Sequence, residues 1–198
     1  MTALAPSPRP AALLLTGGES RRMGRDKATL VVGGAGLAAR TAALLVQVAA
    51  PVLEVGPQHT SLPSVQESPP GGGPLCALAA GWAGLVELDC PDSAAVLVVA
   101  TDLPRLTAGL LAWLACHPGP GCVVPLDTHG RAQPLCARYP IAILGLAAGL
   151  VGAGKRSIQA LLAEAQVTWV TPLMWQPAAG DPDALCDIDT PADLAALT

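Results

Sequence analysis

Short apolar runs alternate with longer amphipathic or Ala/Leu-rich stretches along this chain, and turn-forming residues separate them. Ala11–Leu15 is an apolar run that ends at Thr16-Gly17-Gly18, the pattern of a buried strand followed by a loop. Leu37–Val48 has helical spacing, and Val52–Val55 reads as a second short strand closed by Gly56-Pro57. Ser61–Pro74 is rich in Ser, Pro and Gly and reads as loop, and Leu75–Leu88 reads as helix. Ala94–Ala100 is apolar throughout and β-branched, which predicts a strand covered on both faces. A helix is expected over Thr107–Cys116, after the break at Pro104. Cys122–Pro125 and Leu135–Tyr139 are expected strands joined by the polar turn Asp127–Arg131. Ile141–Leu150 and Ser157–Ala165 read as helices and Val167–Val170 as a strand. Asp189 before Thr190-Pro191 places a capping residue ahead of a first-turn proline, so a short C-terminal helix is expected there.

Strands alternating with helices imply an α/β fold with a doubly wound, mostly parallel sheet. Ligands bind such sheets at the carboxyl ends of the strands. The loops after Leu15 and Ala100 are therefore the ones to watch. Residues 1–10 read as a flexible tail and 11–198 as a single domain, with no internal repeat.

The chain has 198 residues, 52% hydrophobic and 13% charged, which excludes a disordered chain. No apolar run approaches the ~20 residues that span a bilayer, and no secretory signal is visible, so a cytoplasmic protein without a membrane role is expected. A net charge of −4 leaves no basic footprint for nucleic acid. The six cysteines form no Cys-x-x-Cys pair, which argues against zinc, and they read as small, mostly buried apolar fillers. No Ser/His/Asp or Cys/His arrangement suggests a hydrolase.

In this acidic chain, basic residues crowd into Arg21–Lys27. The string from Leu15 runs Leu-Thr-Gly-Gly-Glu-Ser-Arg-Arg-Met-Gly-Arg-Asp-Lys. Gly17 and Gly18 let the backbone approach a ligand closely, and N–H groups in such a turn can form a nest for phosphate oxygens. Arg21, Arg22 and Lys27 can neutralise a triphosphate, where a bare turn would need none of them. The string lacks both the Gly-x-Gly-x-x-Gly fingerprint and the Gly-Lys-Ser/Thr of a Walker loop. Gly152-Ala153-Gly154-Lys155-Arg156-Ser157 imitates that loop, but Arg156 interrupts it and a helical stretch precedes it. Asp102, after the strongest strand, suits Mg²⁺ as a hard-oxygen ligand, or else caps the helix that follows.

The string from Leu15 to Lys27 closely resembles the signature of the molybdenum cofactor guanylyltransferases. These belong to the nucleotidyltransferases with a Rossmann-like fold of the nucleotide-diphospho-sugar transferase type. Gly73-Pro74-Leu75, Thr101-Asp102-Leu103-Pro104, Arg131-Ala132-Gln133-Pro134-Leu135 and Asp187-Ile188-Asp189-Thr190-Pro191 extend the resemblance to nearly the whole chain. It implies transfer of GMP from GTP to the terminal phosphate of molybdopterin-bound molybdenum cofactor, with release of pyrophosphate. By the same resemblance Leu15, Thr16, Gly17, Gly18, Lys27, Glu67 and Asp102 bind the nucleotide. Arg22, Lys27 and Asp102 are the catalytic candidates. Asp102 holds Mg²⁺, with Asp189 either a second metal ligand or a helix cap. Recipient molybdoenzymes or their chaperones are further expected partners.

The chain also departs from the family's pattern in two places, the first of which bears on the base. The Asn that often follows the family's second strand is missing from Leu53-Glu54-Val55-Gly56-Pro57, and Thr16 replaces the usual Ala. A cytidylyltransferase of the same cofactor, a sugar-phosphate nucleotidyltransferase, and a non-catalytic subunit that escorts the cofactor therefore stay open as alternatives.

Overall fold

The computed structural model describes residues 9–17, 27–68, 70–188 and 193. Its centre is a seven-stranded sheet. In chain order the strands are β1 Ala11–Leu15, β4 Val52–Val55, β5 Ser64–Val65, β6 Ala95–Ala100, β7 Cys122–Pro125, β8 Cys136–Pro140 and β9 Val167–Val170. A two-residue hairpin, β2 Val31–Val32 with β3 Ala35–Gly36, stands outside this sheet. The helices are α1 Leu37–Val48, α2 Pro74–Glu87, α3 Ala108–Cys116, α4 Ile141–Gly152, α5 Ile158–Ala163 and α6 Pro172–Ala179.

The spatial order is β5-β4-β1-β6-β8-β7-β9, and β8 is the reversed strand in an otherwise parallel sheet. The doubly wound, mostly parallel expectation holds. Alternate residues of β1 serve opposite cores. Ala11, Leu13 and Leu15 pack with α2, α4 and α5, while Ala12 and Leu14 pack with α1, α3 and α6. A strand buried on both faces has no polar side, which is why its sequence is an unbroken apolar run.

Local chemistry fixes the helix ends. Gly73 takes φ +91°, which only glycine adopts easily, and Pro74 then starts α2. The Thr107 hydroxyl accepts from the Leu110 N–H at 3.2 Å and caps α3. Ser157 caps α5 in the same way. Gly152 is the last residue of α4, so the Lys155-Arg156 segment follows a helix and is no P-loop. Instead, the Arg156 guanidinium donates to the Val151 and Lys155 carbonyls at the end of that helix.

Three elements differ from expectation. The Ser/Pro/Gly loop contains β5, held because Glu54 N–H donates to the Pro63 carbonyl and Gly56 N–H to that of Val65. The β2–β3 hairpin closes through Gly33 and Gly34, both at positive φ, as a two-residue turn of this kind demands. Helix α6 carries Pro177 in its interior, which hides it from a propensity reading. Full burial of Trp175, whose indole N–H donates to the Leu126 carbonyl at 2.9 Å, holds it in place. Of the expected C-terminal helix only Asp193 is among the described residues, and it is helical.

All six cysteines are free. Cys76, Cys122 and Cys136 are buried, and burial pushes the Cys136 thiol up to about 12 and that of Cys122 to about 11. Cys116 is exposed, against the expectation of a filler role.

Candidate active site

Because β1, β4, β5, β6, β7 and β9 point the same way, the loops that follow them open along one edge of the sheet. The reversed β8 starts at that edge, so Arg131–Leu135 reaches it too. Leu15 stands in register with Val55 on one side and Ala100 on the other. Thr16-Gly17 and Thr101-Asp102 therefore leave adjacent strands side by side. This register brings the two expected loops together.

Thr16 and Gly17 both donate their N–H groups to the Val55 carbonyl, at 3.0 and 3.3 Å. Their amides are turned toward β4, so any phosphate nest in this turn begins at Gly18 or later. Gly18, Arg21 and Arg22 lie outside the described residues, and Lys27 opens a short 3-10 turn, Lys27–Thr29. Gly56, at φ +147°, runs tight against Thr16-Gly17: a Cβ there would overlap the Thr16 hydroxyl and lie 2.6 Å from the Gly17 nitrogen. Glu67 follows β5 at the same edge, and its carboxylate accepts from the Gly71 N–H at 2.8 Å. That bond folds the loop leading into α2.

Asp102 is half-buried in the turn after β6. It does not cap α3, since Thr107 does. Its main-chain carbonyl accepts from the Ile188 N–H at 2.9 Å, which ties the segment leading to Asp189 across this edge. Asp189 itself lies outside the described residues. Among the described residues, no three His, Cys, Asp or Glu side chains gather as a metal cage. Asp102, a half-buried carboxylate at the carboxyl edge of the sheet, has the hard-oxygen chemistry that suits Mg²⁺, which usually takes one or two carboxylates.

Two polar networks at this edge escaped the sequence reading. Glu54, fully buried in β4, accepts from the hydroxyls of Thr16 and Thr60 at 2.7 and 2.6 Å and from the main-chain N–H groups of His59 and Thr60 at 2.6 and 2.9 Å. Burial pushes its carboxyl up, but the bonds from Thr60, Thr16 and His59 outweigh that and hold it below the ordinary range. The signal was available: a charge inside an apolar strand requires partners. Asp127, also buried, accepts from the N–H groups of His129 and Arg131 at 2.8 and 2.9 Å and from the Arg131 guanidinium at 2.8 Å. Those bonds overcome burial and lower its pKa as well. Arg131 also reaches Asp187 at 3.5 Å, and Arg105 pairs with Asp181 at 3.0 Å and Asp183 at 3.5 Å. A cavity of about 250 Å³ opens among Pro104, Arg105, Asp183, Asp187 and Ile188, the last of which donates its N–H to the Asp102 carbonyl.

The strand order reverses between β1 and β6, the switch point where open α/β sheets bind ligands, and here a glycine-containing loop and an aspartate turn leave those two strands side by side. Residues 12–170 match the family described as the MobA-like NTP transferase domain, and the chain belongs to that family. A Mycobacterium tuberculosis (strain ATCC 25618 / H37Rv) protein named probable molybdenum cofactor guanylyltransferase is 37% identical over 173 residues, 82% of this chain and 84% of its own. A protein of the same name from Synechococcus elongatus is 35% identical over 201 residues, covering 94% of this chain and 97% of its own. The fold matches the crystal structure of molybdopterin-guanine dinucleotide biosynthesis protein A from Archaeoglobus fulgidus with a TM-score of 0.73 at 18% identity, covering 94% and 96% of the two chains. It also matches the 2-C-methyl-D-erythritol 4-phosphate cytidylyltransferase of Thermus thermophilus, with a TM-score of 0.64 at 22% identity over 96% and 97%. Among the described residues no helix is long and apolar enough to cross a membrane.

Proposed function

We propose that this enzyme transfers GMP from GTP to the terminal phosphate of molybdopterin-bound molybdenum cofactor. The observation that carries the reading is the register of Leu15 with Ala100, which sets the Thr16 loop beside the Asp102 turn. The two curated relatives support the acceptor and the base through their names.

In this reading GTP lies across the carboxyl edge. The backbone of Leu15, Thr16, Gly17 and Gly18 passes the nucleoside, and Glu67 shapes the far wall. Arg22 and Lys27 neutralise the phosphates. Asp102, with Asp189 as its partner, would hold Mg²⁺, whose charge offsets that gathering on the pyrophosphate. A terminal phosphate oxygen of the acceptor forms a bond to the α-phosphorus as the bond to the bridging β-phosphate oxygen breaks, and pyrophosphate leaves with that electron pair. The attacking oxygen is already ionised, so no general base is needed; positioning and charge neutralisation do the work. Arg131, fixed by Asp127, stands where the acceptor would approach. The cytoplasm suits this chemistry.

The test is nucleotide ranking followed by transfer. With Mg²⁺, GTP is expected to raise the melting temperature more than CTP or ATP. Adding molybdopterin-bound molybdenum should release one pyrophosphate per acceptor modified. A larger shift with CTP would instead make this a cytidylyltransferase. Transfer to a sugar phosphate, with none to the cofactor, would overturn the acceptor.

A further inference from the structure

Every other residue of β4 is aliphatic, yet Glu54 sits among them at 0% exposure, in register between Leu14 and Ser64. An aliphatic residue there would bury without cost, whereas an ionised carboxylate must recover its lost hydration from every donor it can reach. Its donors come from two different loops. Thr16 belongs to the turn after β1, and His59 and Thr60 belong to the segment after β4. That second segment holds Gly56 at φ +147° and Gln58 at φ +62°, conformations that extended chain avoids. The carboxylate thus anchors a loop that is poorly disposed to fold by itself and joins it to the turn on the neighbouring strand.

We infer that Glu54 is a positioning residue for the nucleotide, one that locks the Thr16 turn and the Gly56–Thr60 loop into a single rigid wall. The inference rests on the reading of this edge as the nucleoside triphosphate site. The two sequence departures then become one device. Thr16 supplies a hydroxyl where the family usually has Ala, Glu54 accepts it, and the wall is built from fixed backbone where the family usually has an Asn. Glu54 is enclosed by its donors and acts on the nucleotide through the loops it holds.

The test compares Glu54→Gln, Thr60→Val and Thr60→Ser with wild type, using whichever of GTP, CTP and ATP the wild type binds most tightly in Mg²⁺. The amide of Glu54→Gln sets a donor against donors. Its nucleotide Kd and KM should rise roughly tenfold while kcat stays within about threefold, because loop order affects ground-state and transition-state binding alike. Thr60→Val should raise Kd by about threefold, and Thr60→Ser, which keeps the hydroxyl, should restore it. If Glu54→Gln melts lower but binds nucleotide like wild type, the residue serves the fold alone and the inference fails. If Glu54→Gln does not fold, the Thr60 pair decides: equal Kd for Val and Ser overturns it. A wild type that binds none of the three nucleotides overturns the functional reading together with the inference.

Discussion

Asp102 and Glu54 are both carboxylates near one edge of one sheet, and their surroundings differ. Glu54 spends its lone pairs on four donors inside the protein. Asp102 is half-buried in the turn after β6, and α3 is capped by another residue. Asp102→Ala should therefore leave the fold intact and lower Mg²⁺-dependent kcat by more than roughly 10²-fold, the size expected when a charge stabiliser of the transition state is lost. Steady-state pyrophosphate release measures it, and a variant keeping about a tenth of wild-type turnover would make Asp102 a turn residue only. The place of Asp102 in the fold was legible in the sequence, because it lies two residues past the most strand-like run in the chain. Glu54 was not, because a charge inside Val-Leu-Glu-Val reads as strand until the loops that cover it are known. Asp127 was equally hidden: the polar turn was legible, but not that its first residue is buried and holds the rest.

The elements themselves were largely legible, since each long apolar run becomes a strand or helix near its expected place. What was lost is what depends on contact across the fold. Helix α6 survives Pro177 through Trp175, and β5 needs only two residues because β4 supplies its partners. Helix α2 shows how close these layers come. A Cβ on Gly81 would lie 2.6 Å from Leu13 Cδ1 and 3.0 Å from Val55 Cγ2, inside the core. Alanine favours a helix over glycine by about 1 kcal/mol, but overpacking costs about 1–3 kcal/mol. Leu13 is fully buried, so it has little room to yield. Gly81→Ala should therefore lower the melting temperature by roughly 2–4 °C. Gly149→Ala, on the exposed side of α4 where a Cβ meets nothing within 4 Å, should hold or raise it. A rise for Gly81→Ala would show that α2 can move off the sheet.

Across the whole molecule, the carboxyl edge is closed by parts far apart in the chain. Ile188 donates to the Asp102 carbonyl and packs against Val32 and Leu37, next to the β2–β3 hairpin. Arg131 links Asp127 to Asp187, and Arg105 links the turn after β6 to Asp181. Part of this closure is electrostatic, and acid should loosen that part. Asp127 and Glu54 both have pKa values lowered in the folded protein. Between each lowered value and the unfolded one, about 3.9 for Asp and 4.3 for Glu, the unfolded chain binds more protons. Their contribution to stability is therefore complete above the unfolded values and is lost as pH falls through the folded ones. Melting curves from about pH 6 to pH 3 should show wild-type stability dropping below about pH 4. Asp127→Asn breaks part of the network at every pH, costing about 1–3 kcal/mol near neutrality, and it removes one of the titrating groups. Its curve should start lower and fall less steeply, so that the two converge in acid. Curves that stay parallel would mean that Asp127 gains nothing from ionisation, and that the Asp127–Arg131–Asp187 chain does not help to hold the terminal segment against the site.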